Sequence, residues 1–292
     1  MSDLSNAIVV GTDGSDEALS AVSWAAKVAS ARKLSLHLVS STEPYYRGFY
    51  GAGMPVPPEA FSEIDELART RLKEATKRAA AIDAELPVTT EKAAEQPISL
   101  MLRLSEEAHM LALGASGRGG FTGMLLGSTA ASAAAHARCP VAVIRPARTP
   151  DGPVVAGVDG SENSVDALSA AFAEASWRRV KLVAVHATRD YEPSIREVGV
   201  GRARTDPQEP ARVLATSLAG MQERYPDVEV ERDTVNNLPR DALLDWSKRA
   251  QLVVVGSRGR GGFLGMLLGS NSQTLLQHAA CPVLVVHPVG ER

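Results

Sequence analysis

The sequence predicts an α/β protein of two tandem, doubly wound domains, each a five-stranded parallel sheet of order 3-2-1-4-5 flanked by helices. Three observations predict this fold. Apolar, strand-like runs alternate with helix-like segments along the chain. One long pattern occurs twice, starting at Met110 and at Leu252. A length of 292 residues fits two domains of ordinary size, which we place at residues 1–147 and 152–292.

The repeated pattern combines an apolar run, a glycine-rich loop, a helical segment and a second apolar run that starts after Cys-Pro. Its first copy reads MLALGASGRGGFTGMLLGSTAASAAAHARCPVAVIRP, and its second reads LVVVGSRGRGGFLGMLLGSNSQTLLQHAACPVLVVHP. Both loops fit the spacing G-x2-G-x9-G-S. The motif residues are Gly114, Gly117, Gly127 and Ser128 in the first half, and Gly256, Gly259, Gly269 and Ser270 in the second.

A glycine loop of this kind suits a phosphate group. Glycine allows positive φ angles and leaves no Cβ in the way of a ligand. Successive N–H groups in such a turn form a concavity that binds anions, and the free N–H groups of the next helix add to it. The alternative is a loop that merely turns tightly. Two copies with identical spacing in one chain favour phosphate binding.

Each half begins with a strand that ends in an acidic turn. Residues 7–12 form the first strand, and Asp13 and Ser15 lead into a helix. Ser15 is a suitable N-cap, and acidic residues follow it in the first turn, where the helix dipole favours them. The second half repeats this strand and turn over residues 153–161, with Asp159 at the position of Asp13.

The two halves differ most after the second strand, which we place at residues 34–40 and 180–187. The segments that follow, 42–58 and 188–207, are loops by composition. Segment 42–58 is rich in aromatic residues, although the whole chain is only 4% aromatic. Two interpretations stay open for it: a hydrophobic plug over its own base, or a lid or partner-binding surface.

The remaining elements follow in the same order in both halves: a long helix, a third strand, a helix that starts near a proline, a fourth strand, the glycine loop, a fourth helix and a fifth strand. The long helices are predicted at 59–82 and 208–225, the third strands at 86–93 and 228–235, and the prolines are Pro97 and Pro239.

This order predicts where a ligand lies. Strands one and four are neighbours, and ligands of such sheets bind outside the carboxyl ends of the strands. Asp13, the glycine loop and the end of strand two are therefore expected to line one crevice. Strand five would be an apolar, β-branched edge, and exposed edges of that kind tend to be paired. We expect the two halves to pair through their fifth strands.

Composition excludes several classes of protein. A net charge of −3 without a basic block disfavours nucleic-acid or acidic-membrane partners, and no apolar run approaches the length of a membrane span. The chain starts with an apparent strand rather than a signal peptide, so we expect a cytoplasmic protein. The two cysteines occupy equivalent strand starts, which indicates packing rather than redox chemistry, and the six histidines show no metal-binding spacing.

The motifs also exclude some nucleotide chemistry. There is no G-x4-G-K-[ST] sequence, so no P-loop lysine reaches the terminal phosphates. The loop resembles a dinucleotide fingerprint only superficially, because the strand after it ends at Arg145 or His287 rather than at an acid for a ribose hydroxyl. No Ser/His/Asp set can be assembled from the motifs.

Taken together, the residues resemble a known family. The glycine motif after strand four, V-G-x-D-G-S at strand one (A-G-V-D-G-S in the second half) and C-P-V at strand five are similar to the universal stress protein family, in its tandem form. The resemblance covers essentially the whole chain. It implies that each half binds ATP, together with Mg²⁺, and that the chain forms a homodimer.

The resemblance also implies a set of binding residues. Asp13 and Asp159 would lie by the ribose and adenine and reach Mg²⁺ only through the nucleotide. Val39 and Ala187 would contact adenine through backbone groups. The full set is Gly11, Thr12, Asp13, Val39, Gly114, Gly117, Arg118, Gly127, Ser128 and Thr129 in the first half, and Gly157, Val158, Asp159, Ala187, Gly256, Arg258, Gly259, Gly269, Ser270 and Asn271 in the second.

One departure distinguishes the halves. Ser116 stands where the second half has Arg258, so the first half lacks that phosphate cation. We expect both halves to bind ATP, the second more tightly. The function implied is a regulatory, ATP-binding stress protein with little or no ATP turnover. The alternatives are a slow ATPase or autophosphorylating enzyme, with Ser128 or Ser270 as acceptor, and a protein scaffold that uses residues 42–58.

Overall fold

The computed structural model describes residues 3–43, 45, 57–117, 126–188, 208–259 and 267–288. Its strands are β1 (Ala7–Gly11), β2 (Ser35–Ser41), β3 (Val88–Ala93), β4 (Met110–Gly114), β5 (Val141–Ile144), β6 (Val154–Gly157), β7 (Leu182–Ala187), β8 (Val230–Val235), β9 (Leu252–Gly256) and β10 (Val283–Val286). The loop predictions at 42–58 and 188–207 fall mostly outside the described residues.

Helices alternate with these strands, as the repeat predicts. They are α1 (Asp16–Arg32), α2 (Pro58–Ala80), α3 (Pro97–Ser105), α4 (Ser128–His136), α5 (Glu162–Arg178), α6 (Glu209–Leu218), α7 (Met221–Arg224), α8 (Pro239–Ser247) and α9 (Ser270–His278). None of the helices in the described part of the chain is long and apolar enough to span a membrane.

One ten-stranded sheet joins the two halves, in the order β3-β2-β1-β4-β5-β10-β9-β6-β7-β8. All pairs within a half are parallel, so each half has the predicted 3-2-1-4-5 order. The halves meet where β10 pairs antiparallel with β5, with Leu284 opposite Ala142. The predicted pairing through the fifth strands is confirmed, and it covers two apolar edges at once.

Two hydrophobic layers cover the sheet. Side chains of a strand alternate between faces. On β1, Ile8 and Val10 therefore join the layer under α1, α2, α5 and α6, while Val9 joins the layer under α3, α4, α8 and α9. Each layer contains buried residues from both halves, including Leu284 in the first and Val283 in the second. The core is therefore continuous across the β5–β10 seam.

The halves also cap each other's helices. Arg145, which follows β5, donates to carbonyl oxygens at the C-terminal end of α9. His287, which follows β10, contacts carbonyl oxygens at and just beyond the end of α4. The positive charge of Arg145 is favourable at such a helix end, whereas burial lowers the pKa of His287 and disfavours its charged form. The carbonyls are those of Leu276, Gln277 and Ala279 for Arg145, and those of Ala134 and Cys139 for His287.

One helix differs from its prediction. The helix expected over residues 208–225 is divided into α6 and α7. Gly220 separates them with φ of 76°, a left-handed conformation that glycine adopts without a steric penalty. The first-half counterpart, α2, runs unbroken from Pro58 to Ala80.

Candidate functional site

The turn between β1 and α1 fixes the orientation of Asp13. Its Oδ1 accepts the backbone N–H of Ser15 at 3.0 Å and the hydroxyl of Ser15 at 2.6 Å. The Ser15 hydroxyl oxygen accepts the N–H of Ala18 at 3.2 Å, which makes Ser15 the N-cap of α1. Gly14 has φ of 75°, where a side chain would be strained. The hydrogen bonds that start the helix therefore also hold the carboxylate.

The second half repeats this turn closely. Asp159 Oδ1 accepts the backbone N–H of Ser161 at 2.9 Å and its hydroxyl at 2.6 Å. Ser161 caps α5 by accepting the N–H of Ser164 at 3.2 Å. Gly160 has φ of 77°, and its N–H donates to the Ser164 hydroxyl at 3.1 Å. The two turns share little sequence beyond Asp-Gly-Ser. They nevertheless hold their aspartate side chains in the same way.

The glycine loop after strand four lies directly against this acidic turn. A Cβ placed on Gly117 would lie 2.5 Å from Asp13 Oδ2, and one on Gly259 would lie 2.4 Å from Asp159 Oδ2. A Cβ on Gly114 would lie 2.8 Å from the carbonyl carbon of Glu17 in α1. Only glycine allows so close an approach, so the motif glycines bring the loop and the acid into one site.

In the second half these elements enclose a cavity of about 430 Å³. It opens at the carboxyl ends of β6, β7 and β9, where the strand order predicts a ligand crevice. All the residues predicted for the second half line it together. They are Gly157, Val158, Asp159, Ala187, Gly256, Arg258, Gly259, Gly269, Ser270 and Asn271.

Residues outside the predicted motifs also line the cavity. Leu243 and Pro239 contribute from α8, and Val185 and Val255 from the sheet. Ser272, on the first turn of α9, donates its hydroxyl to the Gly256 carbonyl at 2.7 Å. The apolar spacing of α8 is the sequence signal that places Leu243 on the sheet face, but it carries no information about a ligand. Ser164 completes the lining.

Val39 and Ala187 do not occupy equivalent positions. Gly11 pairs with Val39, and the matching Gly157 pairs with Val185, so Ala187 lies two residues further along its strand. The Val39 carbonyl already accepts the N–H of Thr12 at 2.8 Å. The residue that matches Ala187 is Ser41, the last of β2. The cavity wall of the second half includes both Val185 and Ala187.

The fourth helix of each half begins at the site with a glycine N-cap. Gly127 and Gly269 are extended, with ψ of 150° and 147°, and their N–H groups each donate to a loop carbonyl at 2.7 Å. Glycine has no side chain with which to accept the first N–H groups of the helix. Ser128 and Thr129 open α4, as Ser270 and Asn271 open α9. This helix end suits an anionic ligand.

The first half has the same framework with different side chains. Gly11 lies against Leu113 and Met101, since a Cβ on it would be 2.9 Å from each side chain. Ser116 takes the position of Arg258, whose carbonyl accepts the side-chain N–H of Asn163 at 2.9 Å. Arg118, also predicted for this site, lies outside the described residues. Within the described ranges, no group of three or more His, Cys, Asp or Glu side chains is arranged to hold a metal ion.

Comparison with known proteins identifies the family. The model of the universal stress protein family matches residues 5–145 and 152–287, which is most of the chain in two copies. This chain belongs to the universal stress protein family. A universal stress protein of Mycobacterium tuberculosis is 42% identical over 292 aligned residues, which cover 95% of this chain and 96% of that one. Another from the same species is 39% identical over 286 residues and covers 95% of both chains.

The fold is also that of a known universal stress protein. The crystal structure of one from Archaeoglobus fulgidus superposes with a TM-score of 0.74 at 20% identity, over 99% of this chain and 98% of that one. The tandem family membership and the fold class predicted from the motifs are therefore confirmed.

Proposed function

We propose that this universal stress protein binds ATP in each half and acts as a regulatory protein with little or no ATP turnover. The observation that carries the proposal is the second-half cavity. Ten residues chosen from sequence for nucleotide binding line one space there. Its volume of about 430 Å³ lies within the ordinary range for small-molecule sites.

The walls of this cavity suit the parts of an adenine nucleotide. Val185, Val255 and Leu243 supply apolar surface of the kind that covers a base. The glycine loop and the start of α9 supply backbone N–H groups and the positive end of a helix dipole for the phosphates. Arg258 adds a cation. In this proposal the carboxylate of Asp159, held by Ser161, accepts hydrogen bonds from the ribose hydroxyls.

The energy required is within reach of such a site. Micromolar binding corresponds to about 8 kcal/mol. Charge-assisted hydrogen bonds contribute about 1.5–3 kcal/mol each, and burial of the base adds to them. Asp13 and Asp159 lie in separate halves. In this proposal each of them would meet Mg²⁺ only as part of the nucleotide complex.

The composition of the loops supports low turnover. Neither glycine loop contains a lysine, a histidine or a carboxylate in its sequence, so neither supplies a base or a P-loop lysine. Dimerisation, if it accompanies this function, needs a surface other than the fifth strand, since β5 and β10 already pair with each other.

The direct test is the nucleotide content of natively purified protein. The protein is denatured, and the released nucleotides are identified and counted against the chain. We expect adenine nucleotide, mainly ATP, at up to about two per chain. A predominance of ADP would instead favour the slow ATPase. Protein that is empty and also fails to bind added Mg-ATP by calorimetry would refute the proposal.

A further inference from the structure

Arg71, on α2, is a buried cation beside the acidic turn of the first half. Its side chain is only 5% exposed. A Cβ on Gly14 would lie 2.9 Å from its Cγ and 3.3 Å from its Nε, so the side chain packs over the turn that holds Asp13. The guanidinium also lies over the ring of Tyr45, with Cζ 5.0 Å from the ring centroid.

Within the described part of the chain, the guanidinium of Arg71 forms no salt bridge. Its Nε is buried without a hydrogen-bond partner among those residues. The parts of the first half that the structure does not describe contain no Asp or Glu. Buried Arg178, in contrast, pairs with Glu174 at 3.1 Å. The undescribed first-half residues are 1–2, 44, 46–56 and 118–125.

This arrangement indicates an anionic ligand. Arginine stays protonated in proteins, and leaving a buried charge unpaired is costly. Its guanidinium is well suited to phosphate oxygens. We propose that Arg71 is an anion-binding residue of the first-half site and contacts a phosphate group of the nucleotide bound there. The inference rests on the proposed function and deepens it.

In this proposal the arginine that contacts the phosphates lies on a different element in each half. In the second half the position of Arg71 is occupied by Val213, because each residue precedes the third strand of its half by 17 residues. Conversely, the loop position of Arg258 is Ser116 in the first half. The cation lost from the first glycine loop is thus replaced by one from helix α2. The first half does not have to be the weaker ATP site.

The test compares ATP with adenosine, which lacks the phosphates. Arg71→Met keeps the aliphatic contact with Gly14 and removes the charge. By calorimetry on the full chain, we expect it to weaken ATP binding at one of the two sites by about tenfold and to leave adenosine binding unchanged. Arg71→Lys should restore part of the preference for ATP. If the Met variant does not fold, Arg71→Gln replaces it, with the same expectation.

Two matched controls accompany these variants. Val213→Met changes the equivalent position of the second half, and Arg69→Met removes an exposed arginine from the same helix. Both should bind ATP as the unmodified chain does. The inference is overturned if Arg71→Met binds ATP normally, or if it weakens ATP and adenosine equally, since Arg71 would then not contact a phosphate.

A different experimental result is expected if the proposed ATP binding is wrong. In that case the unmodified chain binds neither ATP nor adenosine. Thermal unfolding with pyrophosphate then decides the role of Arg71. A rise in Tm that Arg71→Met lacks would retain Arg71 as an anion-binding residue, and no rise in the unmodified chain would reject it.

Discussion

Gly259 lies so close to Asp159 that a Cβ on the glycine would stand 2.4 Å from Asp159 Oδ2. Gly117 and Asp13 repeat this relationship at 2.5 Å. The acid follows the first strand of each half and the glycine follows the fourth, so their contact depends on the strand order that places these strands side by side. The contact brings the two repeated elements, the acidic turn and the glycine loop, together at one edge of the sheet.

Substitution of these glycines tests the contact. Gly259→Ala would force the loop or the carboxylate to move, because no Cβ fits at 2.4 Å. We expect the affinity of the second half for ATP to fall by about tenfold or more, measured by calorimetry. Gly117→Ala should do the same in the first half. Each variant controls for the other, and a variant that weakens both halves equally would contradict a local effect.

Arg145 is expected to stabilise the pairing of the halves. Arg145→Ala would leave the C-terminal carbonyls of α9 without their charged donor. We expect the free energy of unfolding, from urea denaturation, to fall by about 2–4 kcal/mol. Arg148→Ala, which removes an exposed side chain three positions later, should change it by less than about 0.5 kcal/mol. Equal effects of the two variants would show that the cap is unimportant.

His109 predicts a pH dependence of stability. Its Nε2 lies 2.9 Å from Arg32 Nη2, and arginine can only donate, so the imidazole accepts and is neutral. Burial, aided by the positive charge of Arg32, lowers the pKa of His109 below its usual value. Arg32 also pairs with Glu174 of the other half at 3.2 Å. Protonation of His109 would therefore disturb a contact between the halves.

The sign follows from the lowered pKa. Below about pH 6.5 the unfolded chain binds a proton at His109 that the folded chain does not. The stability that comes from neutral His109 is therefore complete above that pH. It is lost as the pH falls towards the pKa of His109 in the folded protein. We expect His109→Gln to lose less stability between about pH 7.5 and pH 5.5 than the unmodified chain, by urea denaturation. Identical pH profiles would reject the assignment.

The two thiols are expected to be unreactive in the folded protein. Burial raises the pKa of Cys139 and of Cys281 to about 12, and the reactive form of cysteine is the thiolate. Labelling with Ellman's reagent at about pH 8 should be at least about 100-fold slower in native protein than in guanidinium, where both thiols react. Fast labelling of the native chain would contradict their interpretation as packing residues.

Much of the fold follows from local sequence patterns. The repeated motif, the Asp-Gly-Ser turns and the β-branched fifth strands predict the strand order, the helix cap at Ser15 and the pairing of β5 with β10. The break at Gly220 was missed because isolated glycines also occur within helices, and only the left-handed φ of 76° reveals it. Val39 and Ala187 were treated as equivalent because strand ends are hard to place from sequence.

The parts of the site that sequence did not predict depend on distant contacts. Arg71 lies on a helix rich in charged residues, where an arginine ordinarily faces water, and its burial arises from packing against Gly14, far away in the chain. Leu243 resembles any core leucine until the cavity is seen. The cap formed by Arg145 joins residues more than 130 positions apart. No local pattern encodes such contacts.

The central claim is that each half holds one nucleotide. The measurement that tests it most directly is the stoichiometry of Mg-ATP binding, by calorimetry, for the unmodified chain, Gly117→Ala, Gly259→Ala and the double variant, with folding checked by circular dichroism. We expect about two sites of full affinity in the unmodified chain, about one in each single variant and none in the double variant, each altered site being weaker by about tenfold or more. A folded double variant that still binds two nucleotides with full affinity, or an unmodified chain that binds none, would contradict the account.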